Sequence, residues 1–394
     1  MAPVASLASA DLRVSEAQVA EDLMRLLIVN AGSSTLKLQV IGDADRVEAE
    51  VRLDRWAGDE PSDAFDRLLG GAGAIDAVGH RVVHGGRAYL GPVIVGPEVL
   101  RGIQRLEPLA PLHQPRAVTA LVQAQKALPT VPHVACFDTA FHATMPATAR
   151  TYALPREWRE RWGLERHGFH GLSHAWATRR GPELAKRTLT GLRVVSCHLG
   201  AGASLCAAID QRSIDTTMGF TPLEGLVMAT RSGSVDPGLV IWLLTEGGLA
   251  ASEIADGLER HAGLAGLTGT DGDMREVLTR RAAGDPDATL GFDVYVHRLQ
   301  REIAAMAAAL RGLDLLVFTG GVGEHSAPVR AAAVEGLAFL GLHIAAQANE
   351  AAQGDADISA PDTAAATVVV TSREDLEVAH QVRNLLDPHG LDRT

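Results

Sequence analysis

The sequence predicts an α/β protein built of two lobes. Short apolar, β-type runs alternate along the chain with longer stretches of helical periodicity, which is the pattern of sheets covered by helices. The chain has 394 residues, more than the roughly 250–300 residues at which a single hydrophobic core stops growing. An apolar strand, one polar residue and a glycine-centred turn occur in this order twice, at residues 26–33 and 194–201. Each lobe is therefore expected to begin with the same strand and glycine-centred turn.

The predicted strands share a short apolar run bounded by turn residues, and they are 26–29, 36–41, 77–83, 134–137, 194–197, 315–318 and 367–370. The predicted helices share apolar residues at helical spacing, and they are about 97–107, 115–127, 171–188, 237–247, 288–311 and 374–386. Residues 1–24 are predicted to be an N-terminal extension, disordered or partly helical, without a catalytic role.

Composition excludes several classes of partner. The formal net charge is −12, and no basic run is present, so a nucleic-acid surface is not expected and any bound phosphate should be small and enclosed. No apolar run reaches the roughly 18 residues of a membrane span, and the N-terminus lacks the pattern of a signal peptide. The three scattered cysteines, Cys136, Cys197 and Cys206, predict buried thiols rather than disulfides, and a cytoplasmic protein.

The stretch LLIVNAGSSTLKLQV at 26–40 contains the first glycine-centred turn. Such a turn can simply reverse the chain, but backbone N–H groups, the hydroxyls of Ser33, Ser34 and Thr35, and the charge of Lys37 are also donors that phosphate oxygens need. The chain has no Gly-Lys-Ser/Thr motif and no complete GxGxxG before a helix. Because the run after the turn alternates with period 2, it predicts a β-hairpin that holds phosphate.

Strand, Gly-Ser turn and strand, repeated in a second lobe, resembles the phosphate-binding arrangement of the actin-like ATPase and sugar-kinase superfamily. NAGSSTLK at 30–37 and RHGFHGLSH at 166–174 resemble the two signatures of the acetate kinase family. Further segments are similar to that family and follow its order, namely GHRVVHGG (79–86), PLHQP (111–115), CFDTAFH (136–142), DTTMGFTPLEGL (215–226) and FTGGVGEHS (318–326). The resemblance runs from about residue 25 to the C-terminus.

The resemblance implies two duplicated actin-like (ribonuclease H-like) lobes with a nucleotide cleft between them. Residues 25–147 plus 375–394 would form the N-terminal lobe, and 148–374 the C-terminal, nucleotide-binding lobe. The implied reaction is the reversible transfer of the γ-phosphoryl group of ATP to acetate, giving acetyl phosphate and ADP by direct in-line transfer. Propionate or butyrate is an alternative acceptor, and a non-catalytic ATP-binding switch is the alternative of another class. The family also implies a homodimer.

Four residues receive catalytic roles by resemblance: Arg81, Asp138, His170 and Arg231. Guanidinium groups suit a carboxylate substrate and a phosphoryl group because they offer planar, permanently charged donors, although a salt-bridged arginine is the structural alternative for Arg81 and Arg231. His170 and His174 have the spacing of a helical zinc site, but the glutamate that a zincin motif requires is missing. Asp138 could equally be a turn residue or a helix N-cap.

The metal ion implied by the family is Mg²⁺ or Mn²⁺, with Asn30 and Glu374 at its site. Glu374 also follows Thr371 by three residues at a predicted helix start, which fits a capping box. The acyl pocket implied by motif position consists of Val83, Leu112, Phe169 and Pro222, with Arg81 holding the carboxylate. These side chains leave a small apolar space, which favours an acid of two or three carbons.

The nucleotide-binding residues implied by the resemblance come from both hairpins and from two later segments. They are Ser33, Thr35, Lys37, His198, Gly200, Gly202, Asp273, Met274, Arg275, Gly321 and Gly323. A mobile polar loop is the alternative for the glycine-rich stretch 263–273, and residues 320–323 are expected to form a turn.

Overall fold

The structure, a computed structural model, describes residues 24–32, 35–56, 58–59, 62–71, 73–111 and 113–387. Residues 1–23 of the predicted extension lie outside these ranges. Ser33, Ser34, Leu112 and residues 388–394 also lie outside them.

Two six-stranded mixed sheets lie at the centres of two lobes. The strands of the first sheet are β1 (Leu26–Ala31), β2 (Thr35–Ile41), β3 (Val47–Asp54), β4 (Ala77–Val82), β5 (Val93–Ile94) and β6 (His133–Phe137). Those of the second are β7 (Arg193–Leu199), β8 (Ala203–Ile209), β9 (Arg212–Thr216), β10 (Leu315–Thr319), β11 (Ala356–Asp357) and β12 (Ala366–Val369).

The two sheets have the same topology. The first has the order β3-β2-β1-β4-β6-β5, and the second, read from its other edge, has β9-β8-β7-β10-β12-β11. In each sheet an antiparallel hairpin opens the lobe, two parallel strands follow, and a short antiparallel strand closes the far edge. The predicted duplication of an α/β lobe is confirmed.

The helices surround the sheets and connect their strands. They are α1 (Ser62–Leu69), α2 (Pro97–Gln104), α3 (Gln114–Ala127), α4 (Ala147–Arg150), α5 (Arg156–Trp162), α6 (Gly171–Leu184), α7 (Pro237–Thr245), α8 (Ala251–Arg260), α9 (Gly263–Thr268), α10 (Met274–Ala282), α11 (Pro286–Ala309), α12 (Gly320–His325), α13 (Ala327–Glu335), α14 (Ala346–Ala351) and α15 (Glu374–Leu386). Among the described residues, none of them combines the length and apolar character that a membrane span requires.

Helices α6 and α15 occupy the space between the two lobes. Leu172 of α6 packs with Leu376 and Val378 of α15 against the first sheet, whereas Ala177 of α6 packs against the second. Trp176 touches both clusters, and its indole Nε1 donates to the carbonyl oxygen of Thr371. Helix α6 therefore lies where the two lobes meet, and α15 packs beside it against the first sheet.

The continuous apolar runs of the central strands made them predictable, because strands buried on both faces consist of such residues. The outer strand β3 carries charged residues on alternate positions, β9 contains Arg212 and Asp215, and neither strand was predicted. One expectation and one alternative about loops are wrong. Residues 320–323 begin helix α12 rather than a free turn, and half of the stretch 263–273 is helix α9.

Candidate active site

The first lobe presents a row of polar side chains at the carboxyl ends of its parallel strands, where ligands bind in α/β sheets. The register of β1 and β4 places Asn30 beside Arg81, and Asp138 follows β6 directly. Glu374 is the first residue of α15 and reaches the same row. The helix has no capping box, because its N-cap is Arg373 without a side-chain bond, so that alternative for Glu374 is wrong.

Arg81 contacts all three of these neighbours. Its Nη2 donates to Asp138 Oδ2 at 2.8 Å, and its Nε lies 3.3 Å from both oxygens of the same carboxylate. Its Nη1 donates to Asn30 Oδ1 at 3.2 Å and lies 3.0 Å from Glu374 Oε2. The sequence left open whether Arg81 forms a salt bridge, and the structure shows that it does.

Burial sets the electrostatics of this row. It raises the pKa of Asp138 to about 6, with Glu374 adding to the shift and Arg81 opposing it. Burial alone would lower the pKa of Arg81, but the Asp138 and Glu374 carboxylates hold it above its ordinary value. The row therefore contains one cation and two carboxylates, so a second cation would balance the remaining negative charge.

The second lobe contributes a turn flanked by a histidine and an arginine. In the hairpin between β7 and β8 the N–H of Gly200 donates to the carbonyl oxygen of Gly202 at 2.9 Å. A Cβ built on Gly202 would lie 2.9 Å from Nη2 of Arg231 and 3.4 Å from Nε2 of His170. The rings of His170 and His198 stack with centroids 4.3 Å apart. The structure therefore brings together His170, His198, Gly202 and Arg231.

Arg231 is a half-buried cation without a close counter-ion. Its Nη1 donates to the carbonyl oxygen of Pro222 at 2.7 Å, and within the described ranges no carboxylate lies at ion-pairing distance from it. The salt-bridge alternative is thus wrong for this residue. Burial lowers the pKa of Arg231 against the opposing effect of Glu259, but an arginine remains charged at physiological pH. A desolvated, unpaired cation that faces a cleft is an anion-binding group.

The histidines of the site are neutral. Burial lowers the pKa of His170 well below 6.5, and His198, His174, Arg81 and Arg231 lower it further. Burial also lowers the pKa of His198. Neutral imidazoles can donate one hydrogen bond each to a phosphoryl oxygen without adding charge.

Tight backbone packing holds His170 in place. His170 has a φ of +55° and precedes the first residue of α6. A Cβ on the following Gly171 would collide with the carbonyl oxygen of Asp138, so only glycine allows α6 to begin against the end of β6. This close approach links the two lobes at the residues with predicted catalytic roles.

The predicted acyl-pocket residues lie in two settings, an apolar cluster and a cavity lining. Val83 and Phe169 are buried in one apolar cluster, and Pro222 lines a cavity of about 360 Å³ together with His113 and Arg231. Leu112 lies outside the described residues. The lining of this cavity combines proline and leucine side chains with two arginines, Arg231 and Arg260, and one glutamate, Glu259. Apolar walls with a few charged groups are typical of small-ligand pockets.

A second cavity of about 520 Å³ lies beside the second hairpin. Five of the predicted nucleotide residues line it, namely Gly200, Asp273, Met274, Arg275 and Gly321. His198, Gly202 and Gly323 lie nearby but are not in the lining. Asp273 caps α10, because its Oδ1 accepts from the N–H of Arg275 at 2.8 Å. The volume is within the range of small-ligand pockets.

The first hairpin brings Lys37 next to the row of polar side chains. The N–H of Gly32 donates to the carbonyl oxygen of Thr35 at 2.8 Å, and the register of β1 and β2 pairs Asn30 with Lys37. The ammonium group of Lys37 lies 3.5 Å from Glu50 Oε2. The lining of the 520 Å³ cavity includes neither Lys37 nor Thr35, and their predicted contact with nucleotide phosphates stays a prediction.

The oxygen donors of the first lobe fit a magnesium ion. Carboxylate and amide oxygens are preferred ligands of Mg²⁺, and Asn30, Asp138 and Glu374 supply them around Arg81, with Asn30 Nδ2 3.4 Å from Glu374 Oε2. Within the described ranges, no group of three or more His, Cys, Asp or Glu side chains forms a ready metal cage. Mg²⁺ bound through one or two carboxylates, waters and substrate phosphates needs none.

Three residues without a predicted role belong to the site. His113 lies close enough to Arg81 and Arg231 that burial, followed by these charges, lowers its pKa to about 4. Its signal in the sequence was the PLHQP segment. Tyr295 and Ser326 line the 520 Å³ cavity with hydroxyl oxygens that are buried and unpaired in the described structure. Nothing in the local sequence marks Tyr295, which lies in the middle of α11.

The structure has two copies of one lobe, which face a shared cleft that contains an arginine and adjoin a cavity large enough for a nucleotide. This is the arrangement of a two-lobed phosphotransferase. Comparison with known proteins narrows this class. The chain belongs to the acetokinase family, whose family model matches residues 66–380.

Individual relatives match over most of their length. The chain is 43% identical to an acetate kinase from Synechococcus sp. (strain JA-2-3B'a(2-13)), over 92% of this chain and 99% of that protein. The crystal structure of the Porphyromonas gingivalis acetate kinase superposes with a TM-score of 0.86 at 33% identity, over 92% of this chain and all of that one. A propionate kinase from Francisella tularensis subsp. tularensis SCHU S4 superposes with a TM-score of 0.82 at 32% identity, over 91% and 99% of the two chains.

Proposed function

We propose that this chain catalyses the reversible, Mg²⁺-dependent transfer of the γ-phosphoryl group of ATP to acetate, giving acetyl phosphate and ADP. Membership of the acetokinase family supports the reaction class. The observation in the structure that carries the proposal is Arg231, a half-buried cation that adjoins neutral His170 at the Gly202 turn and has no close carboxylate within the described ranges. A site that transfers a negatively charged phosphoryl group must neutralise that charge during the reaction, and Arg231 is placed to do so.

The acid would bind through Arg81. Asp138 orients the guanidinium through Nε and Nη2, which leaves Nη1, now shared by Asn30 and Glu374, as the donor for the substrate carboxylate. Val83, Phe169 and Pro222 would surround the methyl group. Carboxylate and triphosphate repel each other, so positioning them in line is the principal task of the protein.

In the transfer step a carboxylate oxygen attacks the γ-phosphorus. The bond from that phosphorus to the oxygen bridging it to the β-phosphate breaks, and ADP leaves with the electron pair. No proton moves and no general base is needed, because a carboxylic acid is already ionised at neutral pH. Arg231 Nη2 and His170 Nε2 would donate to the equatorial phosphoryl oxygens.

Asn30 and Glu374 would hold Mg²⁺, or Mn²⁺, with Asp138 orienting the site. When bound, the ion would neutralise part of the negative charge of the nucleotide phosphates. ATP would extend from the Gly200–Gly202 turn into the 520 Å³ cavity, with its base near Tyr295 and Ser326.

Hydroxylamine trapping tests the proposal, because acyl phosphates form hydroxamates. Purified protein with Mg²⁺ and ATP should give ATP-dependent hydroxamate with acetate. The variant Arg231→Ala should lose about 100- to 1,000-fold in kcat, the usual cost of one donor to a developing charge, with little change in ATP affinity. Arg180→Ala is the control, because this α6 arginine is ion-paired on the surface with Glu183 and Asp355. ATP binding without hydroxamate from any acid would instead support a non-catalytic switch.

Propionate is the second candidate acceptor. The superposition on a propionate kinase supports it, and an apolar pocket separates acids that differ by one methylene by only about 1–3 kcal/mol. Rates that fall from acetate through propionate to butyrate would support the acetate assignment, and a maximum at propionate would replace it.

A homodimer is proposed through helix α7. Its sequence PGLVIWLLT is almost entirely apolar, yet Leu239, Ile241 and Trp242 are 48%, 60% and 55% exposed. A helix that is hydrophobic all round is normally buried, and a second copy of this chain is the occupant that the family implies. Sedimentation should give a dimer that Trp242→Glu dissociates.

A cytoplasmic location also remains a proposal, supported by three free, buried cysteines.

A further inference from the structure

A row of hydrogen-bonded side chains leads from the interior of the second lobe to His170. Ser196 Oγ lies 3.0 Å from Nδ1 of His174, and Nε2 of His174 lies 2.8 Å from Ser204 Oγ. Ser204 Oγ in turn lies 2.9 Å from Nδ1 of His170. Ser196, Ser204 and His174 are completely buried, so bulk water does not compete for these bonds.

Each hydroxyl and each neutral imidazole in the row has one proton to donate, so the bonds must all run in the same direction. In one direction Ser196 donates to His174, His174 donates to Ser204, and Ser204 donates to Nδ1 of His170. Every proton in the row is then used, and His170 carries its own proton on Nε2.

The opposite direction leaves a proton stranded. His170 would donate from Nδ1 to Ser204, Ser204 would donate to His174, and His174 would donate to Ser196. The hydroxyl hydrogen of Ser196 would then need another acceptor. Over the described part of the chain, Ser196 Oγ has no hydrogen-bond partner besides His174. A buried donor without an acceptor is unfavourable, and it shifts the equilibrium between the two directions by a factor on the order of 5 to 150.

We propose that Ser196, acting through His174 and Ser204, holds His170 in the tautomer that carries its proton on Nε2. This nitrogen is the one that faces the Gly202 turn beside Arg231. The inference rests on the proposed function for its purpose, since an Nε2–H is a donor for the phosphoryl oxygens, whereas the other tautomer would present a lone pair to them. Ser196, His174 and Ser204 are positioning residues, and none of them needs to touch substrate.

The second stacked histidine is held in the same way. Ser173 Oγ lies 2.8 Å from Nδ1 of His198, and the described structure gives this hydroxyl no other partner. The same count of protons puts the His198 proton on Nε2, which faces Gly200. Both rings thus present donors to the turn.

The test is the ¹⁵N chemical shift of the two His170 ring nitrogens in ¹⁵N-histidine-labelled full-length protein, assigned with a His170→Gln variant. Protonated and bare imidazole nitrogens have well-separated shifts. The expected result for the wild type is a protonated Nε2 and a bare Nδ1. In Ser196→Ala the direction is no longer enforced, so both shifts should move towards their average, and Ser196→Thr should restore them.

Ser213→Ala is the matched control. Ser213 is also completely buried and its Oγ lies 2.9 Å from Nδ1 of His142, but the His142 proton is fixed independently because Nε2 faces the Phe169 carbonyl oxygen at 3.0 Å. His170 shifts should not change in this variant. A protonated Nδ1 in the wild type, or His170 shifts that are identical in Ser196→Ala, would overturn the proposal.

Activity separates this inference from the proposed function. Loss of the enforced tautomer should lower kcat of Ser196→Ala by about twofold at unchanged KM for ATP, since about half of the molecules lose the donor. An altered tautomer with unchanged kcat would support the relay and contradict the role proposed for His170.

Discussion

Replacing Gly168 by alanine should disable the site by moving His170, two residues further along the chain. Gly168 has a φ of +72°, in the region that favours glycine. A Cβ there would lie 2.6 and 2.7 Å from ring carbons of His142 and 2.7 Å from Cγ2 of Thr216. Carbon atoms normally meet at about 3.5–4.0 Å, so the segment must shift by about 1 Å.

Gly191 provides the comparison for the backbone effect. Its φ is +71°, and no atom lies within 4 Å of a Cβ built on it. Alanine at either position costs about 1–2 kcal/mol for the left-handed backbone. At Gly168 the overpacking adds about 1–3 kcal/mol. The displacement of His170 by about 1 Å should lower kcat by about 100-fold.

Urea denaturation and initial rates of hydroxamate formation measure the two effects. Gly191→Ala should be mildly destabilised and fully active, whereas Gly168→Ala should lose more stability and most of its turnover. If Gly168→Ala is as stable as Gly191→Ala, or keeps kcat within threefold of the wild type, the argument from crowding around His142 is refuted.

Three further predictions concern the nucleotide, the metal and pH. Tyr295→Phe should raise KM for ATP by roughly five- to tenfold, the value of one net hydrogen bond, without lowering thermal stability because the hydroxyl is unpaired; an unchanged KM would remove Tyr295 from the nucleotide site. Glu374→Gln should raise the Mg²⁺ concentration for half-maximal rate by at least about tenfold, and chelation of Mg²⁺ should abolish turnover; an unchanged Mg²⁺ requirement would exclude Glu374 as a ligand. Burial lowers the pKa of His142 from 6.5 to about 4, so only the unfolded chain binds this proton between those values. The resulting stability is present above pH 6.5 and is lost as pH falls to 4, by about 3 kcal/mol. Acid titration of His142→Gln should therefore show a loss smaller by that amount, and parallel curves would contradict it.

Much of the fold could be predicted because its central strands have a recognisable local sequence pattern. Runs such as 26–29 and 315–318 are apolar throughout, and a strand buried on both faces can tolerate little else. Strand β3, VEAEVRLD, has clear alternation, with every second residue exposed, but its charges resemble those of a solvated helix or loop. Its identity as a strand depends on pairing with β2.

The predicted catalytic residues converge, but their supporting residues were not predictable. Arg81, Asp138 and His170 stand in distinctive segments, so resemblance could locate them. Ser196 and Ser204 stand in ordinary strands, and a serine in a strand has no local feature that indicates whether its hydroxyl faces a histidine. His113 and Arg231 approach each other only because the cleft brings a loop of one lobe to a loop of the other.

The sequence by itself determined the class of the protein, the duplicated strand-turn-strand device and the family to which it belongs, because these follow from local periodicity and short motifs. Only the tertiary structure decided how the charges are paired. Arg81 is neutralised by Asp138 and Glu374 from distant parts of the chain, whereas Arg231 has no close carboxylate among the residues that the structure describes. The physical reason is that Coulomb interactions and desolvation depend on distance and burial in space, and the order of residues along the chain encodes neither directly.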